Sequence, residues 1–398
     1  MKLYDIAIAG GGAAGLAAAA YALAVEKKLQ IAILEKSPRV GKKLLVTGNG
    51  RCNLGNLDMS AVHFHGETSN AEKIISVFEG SENFFHRFGL FCRADSEGRL
   101  YPMSNSASSV LDALRLACSD ADEICNFDIK SIEKKTDCFV IQSDNAEVRA
   151  RRVIAALGGG KAELFGGHAH TPLLPSLAPL PVSFPELSLL NGIRCKACVS
   201  LELDGKTVRT EYGELQFGKN NVSGICVFNL SSEIRNESFN GALAVDFLPD
   251  MEFTDIVEML RTAWRVRKKA ASSDLLSGIV HKRIGQCILR LCEISEAESV
   301  EKLTERQLRL VASRLKKLRI PLSGKLSWNS AQVTKGGISL TELDDGLQSR
   351  RMSGLYFCGE MLNVDGDCGG YNLTWAWASA CRAVSSVLSE YERGARKK

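Results

Sequence analysis

The stretch YDIAIAGGGAAGLAAAAYALAVEKKLQIAILEK, residues 4–36, decides the fold. An apolar run too short for a helix ends on three glycines, an Ala-rich segment follows, and a second apolar run closes on an acid. By residue type and length this reads as a strand over 4–9, a glycine turn, a helix over 13–28 and a strand over 30–34. The G-x-G-x-x-G glycines have separate tasks: Gly10 makes the tight turn, Gly12 lets backbone approach a pyrophosphate, and Gly15 lets the helix lie against the strand. The helix N-terminus then presents unpaired N–H groups and partial positive charge to phosphates. Glu35, twenty residues past Gly15, stands where a carboxylate can accept hydrogen bonds from a ribose diol. A glycine triplet alone is a weak signal, but one set between strand and helix with an acid at this distance specifies dinucleotide binding.

Working outward, Glu35 with no neighbouring Arg dedicated to a 2′-phosphate suits an unphosphorylated adenosine ribose, as in FAD or NAD. The far end of the chain separates these two. SGLYFCGEMLNVDGDCGGYNLTWAWASACRAVSSVLSEY, residues 353–391, reads as a strand over 355–358, then Gly359-Glu360, a glycine-bearing loop and a helix from about Tyr371. A simple NAD domain has no need of such a return, whereas an extended FAD can use a second acid for its middle and a second helix N-terminus at its ring. No second strand–GxGxxG–helix unit is present, so a dedicated nicotinamide domain is not expected, and NAD(P)H would visit the flavin transiently.

At 398 residues the chain exceeds the roughly 250 at which single cores stop growing, so two or three domains are expected. The 45% hydrophobic and 24% charged fractions, with 35 Gly against 9 Pro, are those of a globular protein rather than a disordered or fibrous one. A net charge of +4 is too small to imply a polyanion partner by itself. No apolar run approaches the ~20 residues that span a bilayer. Thirteen cysteines, an odd number, fit reduced thiols in a cytoplasm better than a disulfide framework. The Cys195/Cys198 pair sits in a strand-like run, where positions i and i+3 face opposite ways, so no metal site is expected there. His63/His65 and His168/His170 lack neighbouring acids or thiols and read as solvated or packed histidines.

Further blocks carry a resemblance. GKKLLVTGNGRCNLGN (41–56), GLFCRADSEGRLYPMSNSASSVLDAL (89–114), GELQFGKNNVSGICVFNLSS (213–232), AQVTKGGIS (331–339) and the C-terminal GLYFCGE and NVDGDCGGYNLTWA segments span nearly the whole chain. Together they resemble the BaiN-type, or YhiN-like, family of bacterial FAD-dependent oxidoreductases, some members of which are called aminoacetone oxidases. The resemblance implies an α/β fold: a glutathione-reductase-like FAD-binding Rossmann domain with an inserted small β-barrel and a helical subdomain. The divisions expected are 1–190 and 336–398 for the FAD domain, 191–250 and 320–335 for the barrel, and 251–319 for the helices. It further implies a tightly held FAD and a small-molecule substrate, with the flavin ring between the first domain and the insert.

Carried over by the resemblance, Gly10, Gly12, Ala14 and Gly15 hold the pyrophosphate, and Glu35 and Lys36 the adenosine side. Lys42, Thr47, Gly48, Gly50, Arg51, Cys52 and Asn53 line the cofactor's middle and one side of the ring. Asp128 or Ile129, on a strand after Cys125, meets the adenine, and Gly158 joins them. Gly359, Glu360, Asp365, Gly370, Tyr371, Asn372 and Leu373 complete the site. Two departures stand out. After VIAALGGG (153–160) the chain reaches its proline-rich segment too soon, which puts contacts near Gly159 in doubt, and Gly55 replaces a more usual hydroxyl residue.

In the insert, VSLELDG, KTVRTEYG and GICVFNL read as short strands between Gly and Asn turns. From Asp255 the apolar period changes to i, i+3, i+4, i+7, which predicts about three amphipathic helices. Between Arg261 and Arg319 fifteen Lys/Arg face six Asp/Glu, yet without aromatic interleaving this reads as solvated helix faces, and nucleic acid is not the expected partner. The expected activity is FAD-dependent oxidoreduction, with NAD(P)H-driven reduction of an enone or bile-acid-like compound foremost. An amine oxidase releasing hydrogen peroxide, a flavoprotein acting on nucleic acid and a flavin-binding module without turnover are the alternatives. No catalytic acid or base is assigned, and oligomeric state is left open.

Overall fold

The computed structural model of the chain describes residues 2–236 and 239–395, with side chains as far as 391. Two compact units result, Met1–Leu174 with Val333–Lys398, and Pro175–Gln332. The second starts earlier than the 191 expected because Leu180–Pro181 pairs with Asn221–Ser223 and so belongs to its sheet.

The first unit is built on a seven-stranded sheet. Strand β1 (Leu3–Ala9) is central and lies parallel to both β2 (Ile31–Leu34) and the long strand Glu147–Ala155. That long strand serves two partners on its other edge. Its first half pairs antiparallel with Phe139–Gln142, and its last three residues pair parallel with Leu355–Phe357. The C-terminal return is thereby laid beside the opening strand–turn–helix unit, with both strand ends pointing the same way. β1 from Ile6 onward and all of β2 are buried on both faces, as strands inside a parallel sheet usually are.

Eight of the thirteen residues of helix α1 (Ala13–Val25) are alanine, and its buried residues lie on all sides. Small side chains let it sit between the sheet and the C-terminal helix Tyr371–Ala395. It stops before the expected Lys28 because Glu26 turns to extended backbone and its carboxylate accepts from the Lys28 N–H at 3.0 Å. Residues expected to form a strand after Cys125 are irregular backbone up to the strand Ser131–Lys134.

The second unit has a six-stranded antiparallel sheet in the order Leu180–Pro181, Asn221–Ser223, Lys206–Phe217, Arg194–Leu203, Gly241–Asp246, Leu318–Pro321. Its two edges meet: Val182 bridges Leu322, Ser183 N–H donates to Pro321 at 3.0 Å, and Ser323 N–H donates to Pro181 at 2.9 Å. The sheet closes on itself around Val199, Leu201, Leu215, Phe217, Leu243 and Val245. GICVFNL is not a strand. Ile225–Ser231 forms a helix whose Cys226, Val227 and Leu230 fill that interior, a case in which a short continuous apolar run does not reveal its period. Helices Phe253–Val266, Lys282–Leu291 and Glu305–Lys316 each bury one apolar stripe, such as Leu308, Val311, Ala312 and Leu315. Among the described residues no helix is long and apolar enough to cross a membrane.

Candidate functional site

The opening turn separates glycines required by packing from one that is not. A β-carbon on Gly10, at φ +112°, would stand 2.3 Å from the Ala156 carbonyl oxygen, and one on Gly15 would stand 1.8 Å from that of Gly10. Neither place admits a side chain. A β-carbon on Gly12 meets nothing within 4 Å, and Gly12 caps α1 without any side chain satisfying the first-turn N–H groups. The protein leaves that space open in front of a positive helix end, which is what a phosphate needs. Glu35 lies beside it. One carboxylate oxygen accepts from Gly11 N–H at 3.0 Å and the other from Ser37 N–H at 2.8 Å, and each keeps a lone pair for a hydroxyl.

The far end of the chain arrives at the same place. A β-carbon on Gly359 would lie 2.7 Å from that of Ala14, so the two strand ends abut. Next to it Glu360 is fixed by Gly159 N–H at 3.1 Å and Thr334 N–H at 2.7 Å. Gly158 faces this carboxylate, and the ammonium that approaches Gly158 belongs to Lys43. The expected Lys36 and Lys42 are exposed. The shortened segment after Gly160 brings Lys161 across to Asp128 and to the carbonyl oxygen of Ile129, at 2.9 Å for the latter. That pairing and the Lys130 ammonium hold Asp128 down at about 2.

The segment Leu44–Gly50 is a kinked turn, with Gly48 and Asn49 left-handed and the Thr47 hydroxyl donating to the Leu44 carbonyl at 2.7 Å. Gly50 is open around its α-carbon. Among the described residues Arg51 has no ion-pair partner. Its guanidinium covers the Tyr101 ring at 4.7 Å and donates to the Gly48 carbonyl at 3.3 Å. Cys52 is fully buried, and burial pushes its thiol up to about 12, so it packs rather than reacts. The buried Oδ1 of Asn53 has no hydrogen-bond partner.

Helix Tyr371–Ala395 begins against this segment. Gly370, at φ +99°, lies so close to Gly55 that a β-carbon would be 2.4 Å from the Gly55 carbonyl oxygen. Gly55 itself admits no side chain, because the hydroxyls of Ser81 and Thr374, 3.2 Å apart, occupy that place. The hydroxyl missing at 55 is thus supplied from elsewhere. Asn372 fastens the preceding loop: its Oδ1 accepts from Gly366 N–H at 2.9 Å and its Nδ2 donates to the Gly366 carbonyl at 2.6 Å. Leu373 is half-buried on the same turn.

Asp365 is the least ordinary group here. It is 1% exposed, and neither carboxylate oxygen has a hydrogen-bond partner. Burial raises it above the usual carboxylate range, Asp367 and Glu360 add to that, and Lys335 and His65 oppose it. The reading of His63 and His65 as histidines without acids is corrected. His63 Nδ1 lies 3.3 Å and His65 Nε2 2.8 Å from the two oxygens of buried Asp367. Tyr371 stacks on His63 with centroids 4.3 Å apart, and burial with the Asp58 and Asp367 charges pushes its phenol to about 12. His63 closes a short turn and His65 lies in the strand Phe64–Gly66, and Asp367 comes from some 300 residues away and left no local sign. His168 is packed as expected, with Nε2 2.7 Å from Ser349 Oγ.

Of the residues expected at a cofactor, Gly10, Gly12, Ala14, Gly15, Glu35, Gly158, Gly359 and Glu360 lie together around the ends of the parallel strands, linked by the contacts Gly10–Ala156, Gly359–Ala14 and Gly158–Glu360. Thr47 to Asn53 and Gly370 to Leu373 share a second neighbourhood with Asp365 nearby. The empty place at Gly12, two carboxylates held by backbone N–H groups and the orphaned acceptors of Asn53 and Asp365 suit an extended dinucleotide. Among the described residues no group of His, Cys, Asp or Glu suits a metal ion.

The sequence matches the family described as HI0933-like protein Rossmann domain over residues 4–386. The 3-dehydro-bile acid delta(4,6)-reductase of Clostridium scindens is 33% identical over 395 residues, covering 94% of this chain and 96% of that protein. The ribosomal RNA dihydrouridine synthase of Escherichia coli is 25% identical, covering 98% of this chain and 99% of its own. That of Haemophilus influenzae is 24% identical, with 96% and 97% covered.

Proposed function

We propose a function from the premise that this chain belongs to the HI0933-like Rossmann family: it is an FAD-dependent oxidoreductase that reduces a carbon–carbon double bond conjugated to a carbonyl. The observation that supports the reading is the abutment of Gly359 on Ala14 at the start of α1, with Glu35 and Glu360 each held by a backbone N–H, of Gly11 and Gly159 respectively. An FAD would be held there by the N–H groups at Gly12–Ala14, by Glu35 at its adenosine ribose and by Glu360 at its middle. Gly48, Gly50 and the Gly370–Asn372 helix start would lie toward its ring. FAD, when bound, supplies hydride transfer, which the protein orients and polarises.

The relatives support the bond type. A delta(4,6)-reductase of a 3-dehydro-bile acid and a dihydrouridine synthase both saturate a C=C conjugated with C=O, differing in what carries it. For this chain a small enone, bile-acid-like in class, is the substrate that fits. Four cations of the basic helices are paired at the surface of the second unit: Arg261 with Glu258 and Glu305, Arg290 with Glu186 and Glu296, and Arg267 and Arg283 with backbone carbonyls. Such pairing offsets part of the local basic charge that a phosphate backbone would draw on. NAD(P)H is the proposed electron donor, and thirteen free cysteines agree with a cytoplasmic location.

The test is a visible spectrum of the purified protein, anaerobic addition of NADH or NADPH, then of a 3-keto-4,6-diene bile acid. Flavin bands that survive gel filtration, bleach with nicotinamide and return on adding the diene are expected. Bands that return only with oxygen, with peroxide formed from amines, would overturn the reductase reading. Turnover of a uridine-containing RNA but not of the diene would replace the substrate class.

A further inference from the structure

A cleft of about 620 Å³ opens in the first unit, and none of the residues assigned to the cofactor lines it. Its walls are helix Thr68–Ser76, the turns that follow Leu340, and the middle of the C-terminal helix. On that helix Arg382 stands about 16 Å along the axis from Tyr371. The walls are fastened to one another. Leu340 N–H donates to the Glu67 carboxylate at 2.9 Å, Arg382 Nε donates to the Asp345 carbonyl at 2.6 Å, and a β-carbon on Gly346 would lie 2.2 Å from Ser386 Oγ. The cleft is therefore built into the fold, and its volume is within the range of about 300–1,000 Å³ that small-molecule sites occupy.

Its buried lining is apolar, from Ile74, Leu343 and Leu347, and its outer lining is charged. Lys73 and Arg350 are exposed there, and Arg382 is half-buried. Among the described residues none of these three cations has an ion-pair partner, although Asp344 and Asp345 line the same cleft. Asp344 Oδ1 is engaged by the N–H groups of Gly346 at 2.8 Å and Gln348 at 2.9 Å. Arg382 bonds the main chain of Asp345 and not its carboxylate.

Three cations and two carboxylates leave one positive charge in excess. A monoanion cancels it, whereas a dianion or polyphosphate would bring surplus negative charge against Asp344 and Asp345. A planar guanidinium meets a carboxylate with two parallel N–H donors. Buried apolar side chains next to such donors suit a carbon skeleton attached to that carboxylate.

We propose that this cleft is a second binding site, for an organic monocarboxylate with an apolar body. The carboxylate meets Arg350, with Lys73 and Arg382 beside it, and the carbon skeleton covers Ile74, Leu343 and Leu347. The site does not rest on the reading of the redox reaction.

The experiment is calorimetric titration of the FAD-loaded protein with decanoate, and with 1-decanol and decyl phosphate for comparison, all below their micellar concentrations. Decanoate is expected to bind one to one and at least roughly tenfold tighter than 1-decanol. Arg350→Gln is expected to weaken decanoate roughly tenfold, and Arg350→Lys less, because an ammonium keeps the charge without the fork. The Arg350 side chain makes no bond to the rest of the described residues, so both variants are expected to keep the wild-type melting temperature. Val77→Trp fills the cleft from an exposed position and is expected to abolish binding with the flavin spectrum unchanged. Decanoate that does not bind the wild type, or that binds Arg350→Gln and Val77→Trp as it binds the wild type, overturns the site. Decyl phosphate binding more tightly than decanoate overturns the monocarboxylate class.

Discussion

Replacing Gly12 with Ala separates a place kept open for a ligand from one kept open for the fold. Gly12 has φ −84° and ψ −164°, which alanine adopts without strain, and its β-carbon would meet nothing within 4 Å. In the ligand-free protein two effects of opposite sign act: a stiffer unfolded chain favours Ala by about 0.4–1 kcal/mol. Gly is the better N-cap by a similar amount. Unfolding of the FAD-free variant in urea is therefore expected within about 0.5 kcal/mol of wild type. A methyl group in space that a pyrophosphate occupies costs about 1–3 kcal/mol of overpacking, which weakens FAD roughly 5- to 150-fold in a calorimetric or fluorescence titration. Unaltered FAD affinity, or a loss of more than ~2 kcal/mol from the ligand-free protein, would refute the assignment of this space.

Gly15→Ala is the counterpart: its β-carbon would be 1.8 Å from the Gly10 carbonyl oxygen, and the FAD-free protein itself should lose about 2–3 kcal/mol in the same titration. Thr304→Ala removes the capping box of Glu305–Lys316, and calorimetry should show about 1 kcal/mol lost with flavin absorbance unchanged. Asp365 is raised by burial in the folded state, so the stability it contributes is complete below the ordinary carboxylate range and is lost as pH rises through its folded value. The melting temperature of ligand-free Asp365→Asn should therefore exceed that of wild type by a margin that grows with pH. Cys52, fully buried and raised to about 12, should resist maleimide in the native protein at neutral pH and react once urea unfolds it.

Some of the site was readable along the chain and some was not. Gly10, Gly12, Gly15 and Glu35 lie within one strand–turn–helix–strand unit, where spacing alone sets which atoms face each other. The segment 224–230 hides its helix in the sequence because a buried apolar run has no polar positions to mark its period, and its burial inside a closed sheet is a tertiary fact. Lys43 rather than Lys42 approaches Gly158 because the turn after Gly41 sets which neighbour points inward, and both letters are the same.

By itself the sequence determined the class of fold and its cofactor: short apolar runs, glycine turns and an acid at fixed distance are local steric and dipolar constraints that neighbours in the chain satisfy. Only the tertiary structure decided that Gly359 abuts Ala14, that Ser81 and Thr374 fill the place beside Gly55, and that Asp367 joins His63 to His65 while Asp365 stays without a partner. Those relations depend on strand pairing between residues about 300 apart, and burial and charge pairing are properties of the surroundings a residue is carried into, not of the residue or its spacing.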